Sequence, residues 1–200
     1  MPPLPPVTRN LMIACLAILV LQSFFPLVTG LFALWPIASG AFMPWQMLTY
    51  AFLHGDAQHL FFNMLGLWMF GVELERLWGT KRYVQFLVAS ALAAAVAQLA
   101  LSALLGLHAP TVGASGALFG LLAAFGLLFP NRPVALFMVL PTTARNAVLI
   151  FGAIELFFGY TSPMGGVAHF AHLGGMVGGW LMIRYWRGDP PFGQGGKRRR

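Results

Sequence analysis

Three groups of residues in this chain combine reactive side chains with a spacing that could use them. The first is Gly113-Ala114-Ser115-Gly116. Small neighbours leave a serine hydroxyl open to a substrate backbone. A serine at a helix start also lies beside free backbone N–H groups that can stabilise an oxyanion. The same residues could instead serve packing, because Gly116 and Gly120 form a small face for close helix approach. The second group is His169 and His172, three residues apart on roughly one helical face, followed by Gly175 and Gly179. His172 can act as a general base; a buried structural histidine, or a metal or haem pair, would fit the same pattern. The third is His59 and Asn63, one helical turn apart. Both can donate hydrogen bonds, as an oxyanion hole requires, or they can hold helices together. His54, five residues before His59, is ambiguous.

The elements that must carry these groups are membrane spans. The 200 residues are 58% hydrophobic and 8% charged, against about 25% charged in a soluble domain. So few charges could not clothe a water-facing surface, and lipid is the alternative solvent. Apolar runs of near-spanning length occur at about 11–32, 57–77, 83–107, 113–129, 142–159 and 167–185. The expected fold is an all-α, polytopic bundle of six transmembrane helices. A short segment, 1–10, precedes the membrane domain, 11–187, and a disordered basic tail, 188–200, follows. The stretch 34–56, with Pro36, Gly40, Pro44 and Trp45, is expected at the interface. The short apolar segment 134–140 is isolated by Pro133 and Pro141.

Charge sets the orientation. Arg9, Arg76, Lys81, Arg82, Arg132, Arg145, Arg184, Arg187 and the run Lys197, Arg198, Arg199, Arg200 all fall on one side of this arrangement. The opposite loops, 34–56, 108–112 and 160–166, contain no Lys or Arg. Both ends are therefore expected in the cytoplasm. The net charge of +7 reads as an anchor on anionic lipid rather than a nucleic-acid surface. The lone Cys15 can form no internal disulfide.

On this topology the three groups share one depth, near the outward ends of spans two, four and six. A nucleophile, a base and paired donors at one level are the parts of an acyl-transfer site. Asp56 lies above that level, Glu155 is deep in span five, and Asp189 is at the inner end. A Ser-His dyad is the economical reading.

These motifs resemble those of the rhomboid intramembrane serine proteases. Gly113-Ala-Ser-Gly116 is similar to that family's GxSG motif, and Ala171-His-Leu-Gly-Gly175 to its AHxxG motif. His59-x-x-x-Asn63 is similar to its HxxxN motif, and Glu75 with Gly79 to its ExxxG turn. The resemblance covers about residues 45–180, with the six-span pattern of bacterial members. It implies Ser115 as nucleophile and His172 as base, with His59, Asn63 and the Ser115 N–H as oxyanion hole. Gly113, Gly116, Gly175 and Gly179 would support the site, and His169 would line a water pocket. Two positions depart from some members: Trp45-Gln46 stands for Trp-Arg, and Phe119 for a tyrosine that stacks on the catalytic histidine. The implied substrates are transmembrane proteins in a bacterial inner membrane, with no cofactor and no metal. The main alternative on this scaffold is a non-proteolytic protein that binds membrane helices. A haem, metal or quinone protein using His54, His59, His169 and His172 is another.

Overall fold

The computed structural model describes residues 3–136, 139–161 and 168–188. Most of the expected loop 160–166, Asp189 and the four terminal basic residues lie outside the described residues.

The chain is mostly helical. In order it forms α1 (Pro6–Phe24), α2 (Pro26–Phe32), α3 (Gln46–Thr49), α4 (Ala57–Gly66), α5 (Val72–Leu105), α6 (Ser115–Leu128), strands β1 (Pro133–Leu136) and β2 (Leu140–Thr143), α7 (Ala144–Thr161) and α8 (His169–Trp186). Among the described residues, two helical stretches are long and apolar enough to cross a membrane: Pro6–Phe24 and Ala57–Leu105. Large apolar side chains cover their outer faces and that of α7, among them Ile13, Leu16, Phe61, Trp68, Leu149 and Phe157. Such a surface suits hydrocarbon.

Several boundaries differ from the sequence reading, each for a local reason. The first apolar run starts earlier, at Pro6, and breaks at Phe25, because Pro26 cannot continue the ladder and pushes its predecessor out of helical space. The second and third runs are one continuous helical stretch. It passes through a π-helical turn at Leu67–Gly71 and changes direction at Gly79, whose φ of 73° and ψ of 164° are open to glycine alone. The all-α expectation fails at segment 134–140. There Pro133 and Pro141 exclude helix, and the chain forms an antiparallel hairpin pairing Pro133 with Thr143 and Leu136 with Leu140.

Glu75 shows why the turn at Gly79 matters. Its buried carboxylate accepts the backbone N–H of Val7 (2.8 Å) and Thr8 (2.7 Å) and the Thr8 hydroxyl (2.7 Å). These are the unpaired donors of the α1 amino terminus, where negative charge is also favoured by the helix dipole. At the same end Arg76 donates to the Pro3 carbonyl, Arg132 pairs with Glu73, and Arg82 lies over Trp186.

The opposite end is fixed by Gln46. Its side chain is wholly buried. Oε1 accepts from Trp35 N (3.2 Å) and Met43 N (3.1 Å), and Nε2 donates to the carbonyls of Leu31 (3.2 Å) and Ala41 (3.0 Å). Trp45 beside it is exposed and donates its indole N–H to the same Leu31 carbonyl (3.1 Å). A neutral amide thus closes the stretch with all four hydrogen bonds made.

Helix α8 packs on two neighbours through two glycine pairs. A methyl at Gly175 would lie 1.8 Å from the Gly116 carbonyl oxygen, and one at Gly179 would lie 2.9 Å from that of Gly120, so this face presses α8 onto α6. Gly174 and Gly178 do the same against Ala93 and Ala97 of α5. This second face was not singled out from the sequence.

Candidate active site

Ser115 is the first residue of α6. The loop leading into it is tied down twice. Leu34 and Thr111 exchange backbone hydrogen bonds of 2.9 Å, and Gly113 N donates to the Tyr50 carbonyl at 2.9 Å. Gly113 has φ 122°, and a methyl there would stand 2.7 Å from His59 Nε2. Glycine is required both by the backbone and by the imidazole against it. The first N–H groups of α6, that of Ser115 among them, have no acceptor within the helix.

His172 reaches Ser115 from α8 because the glycine face brings the two backbones together. Its Nε2 stands 2.8 Å from Ser115 Oγ. The Phe119 ring lies flat on the imidazole, centroids 4.3 Å apart and planes 5° from parallel. The ring that replaces tyrosine therefore keeps the stack. A hydroxyl hydrogen-bonded to a buried imidazole is the arrangement in which the base can take the hydroxyl proton as the oxygen attacks.

His59 and Asn63 sit on α4. Asp56 caps that helix, accepting His59 N at 2.7 Å. Gly55 N donates to His59 Nδ1 at 3.4 Å, a long bond that assigns the imidazole proton to Nε2, the nitrogen facing Gly113. Asn63 uses one amide hydrogen on the His59 carbonyl (2.9 Å), which leaves its second free to donate. Ser115, His172, His59, Asn63 and Phe119 line one cavity of about 1170 Å³. Its walls are α4, through Phe62, the π-helical turn after it, through Phe70, and α7, through Ala147 and Phe151. Leu118 and Leu122 of α6 and the 107–112 loop complete it.

Two histidines lie elsewhere. His54 is buried against the His59 ring, centroids 5.2 Å apart, and does not line the cavity. Nor does His169, which corrects the water-pocket expectation. Three residues along a helix leave a rotation of about 60°, and that turns His169 toward α7. There its Nδ1 meets Glu155 Oε2 at 2.6 Å.

Glu155 is the residue that sequence reasoning set aside. Its carboxylate also stands 3.0 Å from His172 Nδ1. That contact is close but poorly directed, for His172 Nδ1 makes no well-aligned hydrogen bond. The available signal was a lone carboxylate inside an apolar segment, which is costly there without a purpose. Glu155, His169 and His172 are chemically able to ligate a metal. However, one carboxylate oxygen touches both ring nitrogens directly. A bound ion at 2.0–2.2 Å from each donor, roughly the zinc distance, would have to push these groups apart.

A model of the rhomboid domain matches residues 41–188. The chain belongs to the rhomboid family. Its rhomboid relatives include Rhomboid protein 1, mitochondrial, of Saccharomyces cerevisiae, 36% identical over 134 residues, which are 66% of this chain and 38% of that protein. Rhomboid protease GluP of Bacillus subtilis is 34% identical over 147 residues, 73% of this chain and 26% of GluP. Rhomboid protease GlpG of Yersinia pestis is 29% identical over 191 residues, 90% of this chain and 62% of GlpG. The chain thus spans less than two thirds of the length of each. Mitochondrial and bacterial rhomboids both match, so the similarity does not single out the bacterial type. Family membership makes this a membrane protein with transmembrane helices.

Proposed function

We propose that this rhomboid is an intramembrane serine endopeptidase in which Ser115 and His172 cut peptide bonds of membrane-protein substrates. The observation that carries the reading is the 2.8 Å contact between Ser115 Oγ and His172 Nε2, at the wall of a cavity that also presents His59 and Asn63. Named rhomboid proteases among the relatives support the same chemistry.

Ser115 Oγ attacks the scissile carbonyl while its proton passes to His172 Nε2. The carbonyl oxygen becomes an oxyanion held by the Ser115 N–H, His59 Nε2–H and the free Asn63 amide hydrogen. His172 then gives its proton to the leaving amine, and the C–N bond breaks. Water enters the cavity and loses a proton to His172 as it attacks the ester. Collapse of that second intermediate returns the proton to Ser115 and frees the new carboxyl end. A helix-binding protein without chemistry would need neither the contact nor the donors.

The reading includes six crossings in a bacterial inner membrane. The break at Gly79 divides the Ala57–Leu105 stretch, about 70 Å at 1.5 Å per residue, into two. α1, α6, α7 and α8 make the other four. The basic end, with Arg76, Lys81, Arg82 and Arg132, faces the cytoplasm, and Ser115 lies in the outer half. Substrate helices enter sideways between α4 and α7, whose apolar side chains flank the cavity. Reporters fused at Lys81 or Arg132 should read as cytoplasmic, and reporters near Asp56 or His108 as external. A cytoplasmic reading at His108 would invert α6 and overturn this orientation.

The direct test is co-reconstitution with a fluorogenic single-span substrate. Cleavage that maps to the substrate's membrane segment or its outer edge, and that disappears in Ser115→Ala, is the expected result. Cleavage unchanged in Ser115→Ala would remove the proposal.

A further inference from the structure

We infer that Glu155 is a positioning residue for His172: its carboxylate fixes the tautomer and orientation that the imidazole needs in order to take the Ser115 proton. The inference rests on the protease reading above and extends its Ser-His pair to a third group on a third helix.

The proton inventory of the ring sets the requirement. For Nε2 to accept from the Ser115 hydroxyl, it must be unprotonated, and a neutral imidazole then carries its hydrogen on Nδ1. In His172 that nitrogen is buried, and it has no well-directed acceptor among the described residues. Left so, the ring gains by flipping, or by moving its proton to Nε2, and either change ends base catalysis. Glu155 Oε2, 3.0 Å away, is the acceptor at hand. A small rotation of carboxylate or ring would align the bond, and contacts of this kind often tighten only when substrate is bound.

The setting favours this role over a passive one. A carboxylate in an apolar segment is expensive unless donors meet it. Glu155 is 6% exposed, and two imidazoles converge on one of its oxygens. His169 Nδ1, at 2.6 Å, is the tighter contact and holds the carboxylate in place. Its ring lies near-parallel to Phe158 of α7 (21°), centroids 5.8 Å apart. If Glu155 served only to join α7 to α8, the His169 bond alone would suffice. The second contact, aimed at the ring that touches Ser115, has no use in such a joint. When the Ser115 proton arrives on Nε2, the imidazolium faces a negative charge across Nδ1. The Nδ1 hydrogen stays on nitrogen, and Glu155 takes no proton.

The test uses the full chain in detergent micelles and liposomes with a single-span fluorogenic substrate. Glu155→Gln keeps the size and an acceptor for His169 while removing the charge. We expect kcat to fall at least about tenfold. The upper bound is the roughly 10⁴-fold loss on neutralising the aspartate of a soluble Ser-His-Asp triad. KM should stay within about twofold, because Glu155 does not touch the cavity that receives substrate. The unfolding midpoint should move little. Glu155→Asp, which keeps the charge but withdraws it by one methylene, should fall between the two in kcat, again at unchanged KM. Wild-type kcat in both variants overturns the inference, as does a loss confined to KM or to stability. If Glu155→Gln does not fold, Glu155→Asp decides alone, and wild-type kcat there is the contrary result. Ser115→Ala separates the two levels. If it retains activity, the protease reading fails; if it is dead while both Glu155 variants match wild type, only the role of Glu155 fails.

Discussion

Ser115→Ala and His172→Ala should each remove turnover, and the doubly substituted protein should be no worse than either. Groups that act as one unit lose their effect together; in a soluble serine protease, losing either the serine or the histidine costs about 10⁶-fold in kcat. A fall of at least about 10⁴-fold in each single variant is therefore expected. Alanine at 115 removes only the hydroxyl from the first turn of α6, so the unfolding midpoint should stay near that of the wild type. His169→Ala is the internal control on α8. It touches Glu155 and not Ser115, so it should retain measurable turnover, lowered only as far as the carboxylate loosens. Cleavage rates with a reconstituted substrate, set beside thermal unfolding of each variant, check all of these. An essential His169 with a dispensable His172 would contradict the assignment.

The second large effect is expected at Gly175. An alanine methyl there would sit 1.8 Å from the Gly116 carbonyl oxygen and 2.7 Å from its carbonyl carbon. Both are backbone atoms of a neighbouring helix and cannot swing aside. Helix α8 must move away from α6, and the Ser115–His172 contact opens with it. A misplacement of about 1 Å can cost on the order of 100-fold in rate. Overpacking of this kind typically costs 1–3 kcal/mol, occasionally more. Gly175→Ala should thus lose at least about 100-fold in kcat and unfold earlier. Gly152→Ala in α7 is the contrast. Its methyl would meet only the Met176 side chain at 3.7 Å, an ordinary contact, and helix propensity favours alanine by roughly 0.8–1.0 kcal/mol. That variant should be at least as stable as the wild type. Equal behaviour of the two substitutions would show that the glycine seam does not set the distance between α6 and α8.

What could be read from the sequence follows from which forces act locally. Ser115, His172, His59 and Asn63, which line one cavity, could be singled out because their helices are apolar and each stands out by type and spacing. The seam of Gly175 and Gly179 was legible for the same reason. Glu155 was visible but misplaced. A depth estimate ranks residues along a span and says nothing about azimuth, and it is azimuth that turns Glu155 toward α8. His169 failed in the same way, since a three-residue spacing fixes a neighbouring face but not which neighbour that face meets. Gln46 stood out only as a departure from the Trp-Arg of some rhomboids, with no sign of the role it plays. Its four hydrogen bonds go to backbone groups of residues 31, 35, 41 and 43, in an irregular stretch whose path no periodicity predicts. The hairpin at 133–143 was half visible: Pro133 and Pro141 marked the ends of an apolar segment, but its strand pairing is a tertiary choice.

If Ser115 is a nucleophile activated by His172, covalent trapping should find it. The purified protein is incubated with a fluorophosphonate, and the adduct is located by peptide mass spectrometry. One phosphonylated residue, Ser115, is expected, formed in the wild type and absent or far slower in His172→Ala at equal folded concentration. Equal labelling of Ser115 in wild type and His172→Ala would contradict activation by the imidazole. An adduct on another residue, with Ser115 unmodified, would contradict the site itself.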